Sequence, residues 1–83
     1  MTVTYAFELT AKCPSDGSDN QYLVEVTADK FMLCESLLAM SAEFEGKAIY
    51  QEDLTEALAT RLKCQVTTYG EHCGGKVQTT VKC

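Results

Sequence analysis

The 83-residue chain carries 12 acidic and seven basic side chains, a net charge of −5, and 46% hydrophobic residues. This length and composition indicate one globular domain spanning residues 1–83 rather than a disordered chain. The acidic balance argues against direct binding to nucleic acid or to an anionic membrane, because both surfaces attract Lys and Arg.

The amino-terminal segment MTVTYAFELT has neither the basic region nor the apolar run of a signal peptide. No apolar stretch approaches the roughly 18 residues that a membrane helix needs. We therefore expect a cytoplasmic protein. The five cysteines form no CxxC pair, so reduced thiols are expected rather than a disulfide framework.

The first half of the chain predicts a hairpin with a long loop. Residues 2–12 alternate between apolar and polar side chains, which indicates a half-buried strand. The turn-forming segment CPSDGSDN, residues 13–20, separates it from a second alternating strand in QYLVEVTA, residues 21–28. The faces expected to be buried carry Val3, Tyr5, Phe7, Leu9, Ala11, Tyr22, Val24 and Val26.

The apolar spacing changes to three and four residues after Asp29, which we expect to cap a first helix that ends at Gly46. A second helix is predicted from Gln51 to Lys63, with Glu52 in the first turn, where the helix dipole favours negative charge. The apolar positions of the two helices are Phe31, Leu33, Cys34, Leu37, Leu38, Ser41, Ala42, Leu54, Ala57, Leu58, Arg61 and Leu62.

In the last part of the chain, side chains again alternate between apolar and polar, which predicts strands at residues 65–69 and 77–83. The order β-β-α-α-β-β indicates an α+β fold, with a four-stranded, mainly antiparallel sheet and two helices packed on one face. The opposite, threonine-rich face is left to water or to a partner. Such a sheet has two open edges, and pairing of edges into a homodimer or a higher oligomer is a natural outcome.

Between the last two strands lies GEHCGG, residues 70–75, which contains the single histidine. We interpret it as a tight turn in which Gly70, Gly74 and Gly75 supply positive φ. Zinc needs three or four converging ligands, and the adjacent His72 and Cys73 rarely point at one ion.

A zinc site that combined one of these residues with Cys13 and Cys64 would require the two hairpin ends to converge. A Cys73–His72 nucleophile pair would need a correctly placed base and an oxyanion site. No spacing in the chain indicates either arrangement. No metal site, cofactor or catalytic residue is therefore predicted.

The run QEDLTEALATRLKCQVTTYGEHCGG, residues 51–75, together with the element order, resembles the tunnelling-fold (T-fold) proteins, the group that includes GTP cyclohydrolase I. The resemblance implies that Gln51 and Glu52 occupy ligand-anchoring positions, where a carboxylate accepts two N–H groups from a guanine- or pterin-like edge. It also implies a zinc-site cysteine. Cys73 is nearest to that position, but it directly follows His72, whereas the family has one residue between its His and Cys. The family's other zinc ligands, a Cys and a His farther upstream, have no counterpart here. Asp53 stands where the family pattern has an Arg.

Two hypotheses from different classes follow. The first is a small acidic interaction protein that binds and blocks a basic, nucleic-acid-binding protein partner. In size and charge it resembles phage-encoded inhibitors of host defence, such as anti-CRISPR proteins, and the absence of a catalytic set of residues favours it. Its contact surface would be an acidic helical face made of Glu43, Glu45, Glu52, Asp53 and Glu56.

The second hypothesis is a T-fold-like purine- or pterin-binding protein or enzyme that acts at a subunit interface. In this case Gln51 and Glu52 would anchor the ligand, and His72 or Cys73 would act nearby. It requires an oligomer, because T-fold pockets form between subunits.

Overall fold

A computed structural model describes residues 1–82. Four antiparallel strands form one sheet in the order β1-β2-β3-β4. The predicted α+β class and the order β-β-α-α-β-β are confirmed. The elements are β1 Val3–Lys12, β2 Asp19–Ala28, α1 Cys34–Ala42, α2 Gln51–Leu62, β3 Gln65–His72 and β4 Gly75–Val81.

The core lies between the helices and one face of the sheet. Leu9, Tyr22 and Val24 are almost fully buried on that face, and Leu54 and Leu58 of α2 pack against it. The alternation predicted for the first two strands is therefore confirmed. Neither helix of the described residues is long and apolar enough to cross a membrane.

The first helix begins later than predicted. Asp29 does not cap it, because residues 29–33 are not helical and α1 starts at Cys34. The backbone of Met32 is held instead by Tyr5, whose hydroxyl accepts the Met32 N–H at 2.7 Å and lies 3.1 Å from the Met32 carbonyl oxygen, to which it donates. This contact ties Met32 to β1 ahead of the helix. The prediction that Phe31, Leu33 and Leu38 lie on a buried helical face is wrong. They are 65%, 59% and 56% exposed.

The helix ends at Ala42, and turns carry the chain to Gly46, which has a φ of 76°. A separate second helix, α2, runs from Gln51 to Leu62 and ends on Lys63 in a left-handed conformation, one residue from the predicted limit. Its buried stripe differs from the predicted one because Gln51 and Thr55 face the core. Arg61 was predicted in that stripe but is exposed.

The last two strands are longer and closer together than predicted. They are joined by the two-residue turn Cys73–Gly74, in which both residues have positive φ, 54° and 79°. This is the backbone expected of a type I′ hairpin turn. The tight turn is confirmed, but Gly70 and Gly75 lie in strands without positive φ. The predicted strand position Cys83 lies outside the described residues.

The two edges of the sheet differ. The outer side of β1 is covered near its end, because Gly46 donates its N–H to the Thr10 carbonyl oxygen at 2.8 Å and the Lys12 N–H binds the Lys47 carbonyl oxygen at 2.8 Å. Glu45 also accepts the N–H of Thr10 at 3.1 Å. Within residues 1–82 no strand pairs with the outer side of β4, so this edge is open, whereas β1 is covered at its Thr10 and Lys12 end.

Candidate functional site

The start of α2 meets one end of the sheet, and this corner holds most residues of the ligand-binding hypothesis. The segment before α2 is tied to β1 by a hydrogen bond of 3.0 Å from the Ile49 N–H to the Lys12 carbonyl oxygen. The Ser15 and Tyr50 hydroxyls lie 3.0 Å apart. These contacts bring the loop after β1 beside the first turn of α2.

Gln51 is 2% exposed and links α2 to both strands of the second hairpin. Its Nε2 lies 3.0 Å from the Val77 carbonyl oxygen and 3.1 Å from both the carbonyl oxygen and the Oγ1 atom of Thr68. Carbonyl oxygens only accept, so the amide nitrogen must face them. The orientation of the Gln51 amide is therefore fixed by the sheet.

Two threonines complete a closed chain of buried hydrogen bonds with Gln51. Thr55 donates its hydroxyl to the Gln51 carbonyl oxygen at 2.7 Å, and its oxygen lies 2.7 Å from the Thr68 hydroxyl oxygen. Since the single Thr55 proton is already used, Thr68 donates to Thr55 while it accepts from Gln51 Nε2. Each hydroxyl is thus satisfied, as a buried polar group must be to avoid a desolvation penalty.

His72 is oriented by the same amide. Its Nε2 lies 2.8 Å from Gln51 Oε1, and this oxygen can only accept, so Nε2 carries a proton. In the neutral imidazole, Nδ1 is then the hydrogen-bond acceptor. The ring is partly buried and lies 6.0 Å from the ring of Tyr22, at an interplanar angle of 46°.

Tyr22 is 1% exposed, and its hydroxyl is buried without a hydrogen-bond partner among the described residues. Burial raises the pKa of this phenol, and so do the nearby charges of Cys13 and Glu52, whereas the Asn20 side chain lowers it. The sequence placed Tyr22 correctly on the buried face, but nothing in the pattern indicated an unpaired hydroxyl.

Gln51 and Glu52 have opposite environments, although the resemblance assigned both to ligand anchoring. The Gln51 side chain is occupied by internal hydrogen bonds. Glu52 is exposed in the first turn of α2. Glu52 is thus the residue of this pair that a ligand can reach.

The side chains of Cys73 and His72 do not converge on one site. It is exposed in the hairpin turn, whereas His72 is partly buried against Gln51. Within residues 1–82 no three His, Cys, Asp or Glu side chains are grouped so that they could hold a metal ion.

A shallow groove of about 870 Å³ opens at the same end of the sheet. Strands β1 to β4 all contribute to it. Its lining is about evenly polar and apolar, and Leu23 and Val77 contribute exposed apolar side chains. Residues of its wall include Glu8, Gln21, Leu23, Tyr69, Glu71 and Lys76.

All five carboxylates of the predicted acidic face are exposed. Two of them already have partners. Glu43 forms a two-point ion pair with Arg61 at 3.0 and 3.1 Å, which lowers the pKa of the carboxyl, and Glu45 binds the backbone of Thr10. Glu52 lies at the corner described above. Docking of a basic partner on this face stays a prediction.

Comparison with solved structures identifies a protein of the same fold. The chain matches an archaeosine synthase QueF-Like, solved in its apo form, with a TM-score of 0.89 and 19% sequence identity. The match covers 98% of this chain and 91% of that chain. At this identity the likeness shows the fold alone, and it supports the resemblance to the T-fold.

No protein-family model matches the sequence, and no curated protein matches it at a significant level. None of these comparisons supports the inhibitor hypothesis.

Proposed function

We propose that the protein binds a planar purine- or pterin-like heterocycle at an interface between its own subunits, with Glu52 as the anchor. The shared fold with an archaeosine synthase favours this hypothesis over the inhibitor hypothesis. The observation that carries it is the position of Glu52. Its exposed carboxylate lies in the first turn of α2, directly after Gln51, whose side chain is held by β3, β4 and His72.

The chemistry of a carboxylate at this position suits a guanine- or pterin-like edge. Such an edge presents a ring N–H and an amino group side by side, and a carboxylate accepts both hydrogens in a two-point contact. The N-terminus of α2 stabilises the negative charge that this contact needs. An adenine ring presents an unprotonated nitrogen at the same place and would meet the carboxylate with repulsion.

Isothermal titration calorimetry with guanosine, neopterin and adenosine tests the proposal. We expect guanosine or neopterin to bind and adenosine not to bind. In Glu52→Gln, the loss of a charged hydrogen-bond acceptor should weaken binding by about 1.5–3 kcal/mol.

Glu56→Gln is the matched control, because Glu56 is an exposed carboxylate on the same helix, one turn farther along. Its affinity should equal that of the unmodified protein. Equal guanosine affinity in Glu52→Gln, or no binding of either probe to the unmodified protein, would contradict the proposal.

A further inference from the structure

We propose that Met32 and Cys64 form a binding site for a soft monovalent metal ion, Cu(I), with the Cys64 thiolate and the Met32 thioether as its two protein ligands. Cys64 Sγ and Met32 Sδ lie 3.9 Å apart, although the two residues are 32 positions apart in the chain. Cys64 follows the last residue of α2 by two positions, so this site lies at the opposite end of the helix from Glu52. It is therefore separate from the proposed ligand site and does not depend on it.

The separation of the two sulfur atoms suits a shared ion. Metal–sulfur bonds are about 2.3 Å long, so two of them that meet at about 120° place their sulfur atoms about 4.0 Å apart. In this structure the Cys64 thiol lies in contact with Met32 Sδ and 3.3 Å from the Leu62 carbonyl oxygen, and both can accept its proton. On binding, the thiol releases this proton to solvent, and the thiolate and the thioether each donate a lone pair to the ion.

The backbone of each ligand is held in place by groups other than the two sulfur atoms. The Tyr5 hydroxyl binds both the N–H and the carbonyl oxygen of Met32, at 2.7 and 3.1 Å. Cys64 lies between Lys63, whose left-handed conformation ends α2, and Gln65, the first residue of β3. The two sulfur atoms are thus positioned before an ion arrives, which reduces the entropy lost on binding.

The thiol is accessible from one side. Cys64 is partly buried and lines a cavity of about 380 Å³, together with Asp29, Lys63 and Lys82. Met32 packs against the hydrophobic core on the other side. The cavity supplies the entry path that a metal site requires.

The two ligands determine the class of ion. Thiolate and thioether are soft ligands that select Cu(I), whereas structural Zn²⁺ sites take four ligands in a tetrahedral arrangement. Residues 1–82 contain no group of three His, Cys, Asp or Glu side chains for such an ion. A thiolate and a neutral thioether together carry one negative charge, which balances a monovalent ion. A divalent ion would keep an excess positive charge near Lys63 and Lys82.

Anaerobic titration of Cu(I) in competition with bicinchoninate, followed by absorbance, tests the inference. The protein for this experiment is the full chain with Cys64 as its single thiol, obtained by the substitutions Cys13→Ser, Cys34→Ser, Cys73→Ser and Cys83→Ser. We expect this single-thiol protein to bind one Cu(I). Met32→Leu in the same background should weaken binding about tenfold or more, because loss of a residue that only supports a metal ligand already costs roughly 10–100-fold.

Met40→Leu in the single-thiol protein is the matched control, because Met40 is a buried core methionine of α1. Leucine has nearly the volume of methionine, so both variants should fold, and circular dichroism checks this. The Cu(I) affinity of Met40→Leu should equal that of the single-thiol protein. X-ray absorption at the copper edge should show two sulfur ligands in the single-thiol protein and one in Met32→Leu.

Unchanged Cu(I) affinity in Met32→Leu would show that copper binds the thiol without the thioether and would overturn the inference. A single sulfur ligand at the copper of the single-thiol protein would overturn it as well, and so would the absence of Cu(I) binding by this protein. None of these results affects the proposed function, which guanosine titration of Glu52→Gln tests separately.

Discussion

Gly70 lies on the inner face of β3, directly beneath the Tyr22 ring, and its lack of a side chain is what allows this contact. The sequence placed this glycine in a turn, because GEHCGG has the composition of one. Its conformational freedom is not used, since its φ is not positive. The glycine is needed because a buried aromatic ring occupies the space that a Cβ would fill.

Gly70→Ala should destabilise the protein by about 1–3 kcal/mol, because the added methyl group would overlap a buried ring that cannot move freely. Urea denaturation followed by circular dichroism measures this change. In a Tyr22→Ala background the same substitution should have a much smaller effect, because the overlapping ring is absent.

Gly75→Ala is the control for this prediction. Gly75 has no positive φ, and its added Cβ would lie 3.6 Å from the nearest atom, an ordinary contact. Its free energy of unfolding should stay close to that of the unmodified protein. Equal losses in the two variants would show that a general strand effect, and not the Tyr22 ring, determines the need for glycine.

At the scale of elements, Gln51 connects α2 to the second hairpin. One buried side chain contacts both Thr68 and Val77 through Nε2 and His72 through Oε1. The sequence predicted the start of this helix at the correct residue. The resemblance to the T-fold assigned Gln51 to ligand contact. Its burial depends on partners far along the chain, which local sequence does not reveal.

Gln51→Leu should destabilise the protein by about 1–3 kcal/mol, because it removes the donor to Thr68 and Val77 and leaves the Nε2–H of His72 without its acceptor. Chemical denaturation measures the loss. The chain has a single histidine, so long-range proton–nitrogen NMR correlations report its tautomer directly. The protein should show Nε2 protonated, and Gln51→Leu should populate the Nδ1-protonated form.

The same substitution at Gln21 is the control, since this exposed side chain contacts Glu8 at 3.3 Å on the open face of the sheet. Its effect should stay within about 0.5 kcal/mol. If His72 of the unmodified protein carried its proton on Nδ1 alone, the derived direction of the hydrogen bond would be wrong.

The first helix shows where element prediction fails. Residues 29–33 carry apolar spacing that suits a helix, yet they are not helical, and the Tyr5 hydroxyl binds both backbone groups of Met32. Tyr5 and Met32 are 27 positions apart. Local periodicity does not predict a contact between residues so far apart in the chain.

At the scale of the whole molecule, we expect copies of the chain to associate through the open edge of β4. The proposed ligand site lies between subunits, and strand pairing at an open edge is the route that the sheet offers. The two-residue turn makes His72 and Gly75 the pair that closes the hairpin. In an antiparallel ladder hydrogen-bonded and non-bonded pairs alternate, so Gln78 directs its N–H away from β3.

Gln78→Pro should therefore leave the β3–β4 hairpin intact and block pairing through the outer side of β4, because proline lacks the outward N–H. We expect the unmodified protein to sediment as a dimer or larger assembly and the variant as a folded monomer that no longer binds guanosine. Analytical ultracentrifugation, with circular dichroism as the test of folding, measures both properties.

Gln78→Thr keeps the backbone N–H and should assemble normally. A monomeric unmodified protein would contradict the need for a subunit interface. An unchanged assembly of the proline variant would exclude β4 as the pairing edge.

The sequence by itself determined the strand alternation, the start of α2 and the order β-β-α-α-β-β. These features depend on local periodicity and on short-range conformational preferences, and a window of about ten or twelve residues is enough to detect both. Only the tertiary structure decided that Gln51 is buried while Glu52 is accessible. It also decided that Gly70 is needed for packing against the Tyr22 ring rather than for a turn, and that the Tyr22 hydroxyl has no partner among residues 1–82. Each of these features depends on contacts between segments that are distant in the chain. The local sequence pattern does not predict which polar groups come into contact when the helices pack on the sheet.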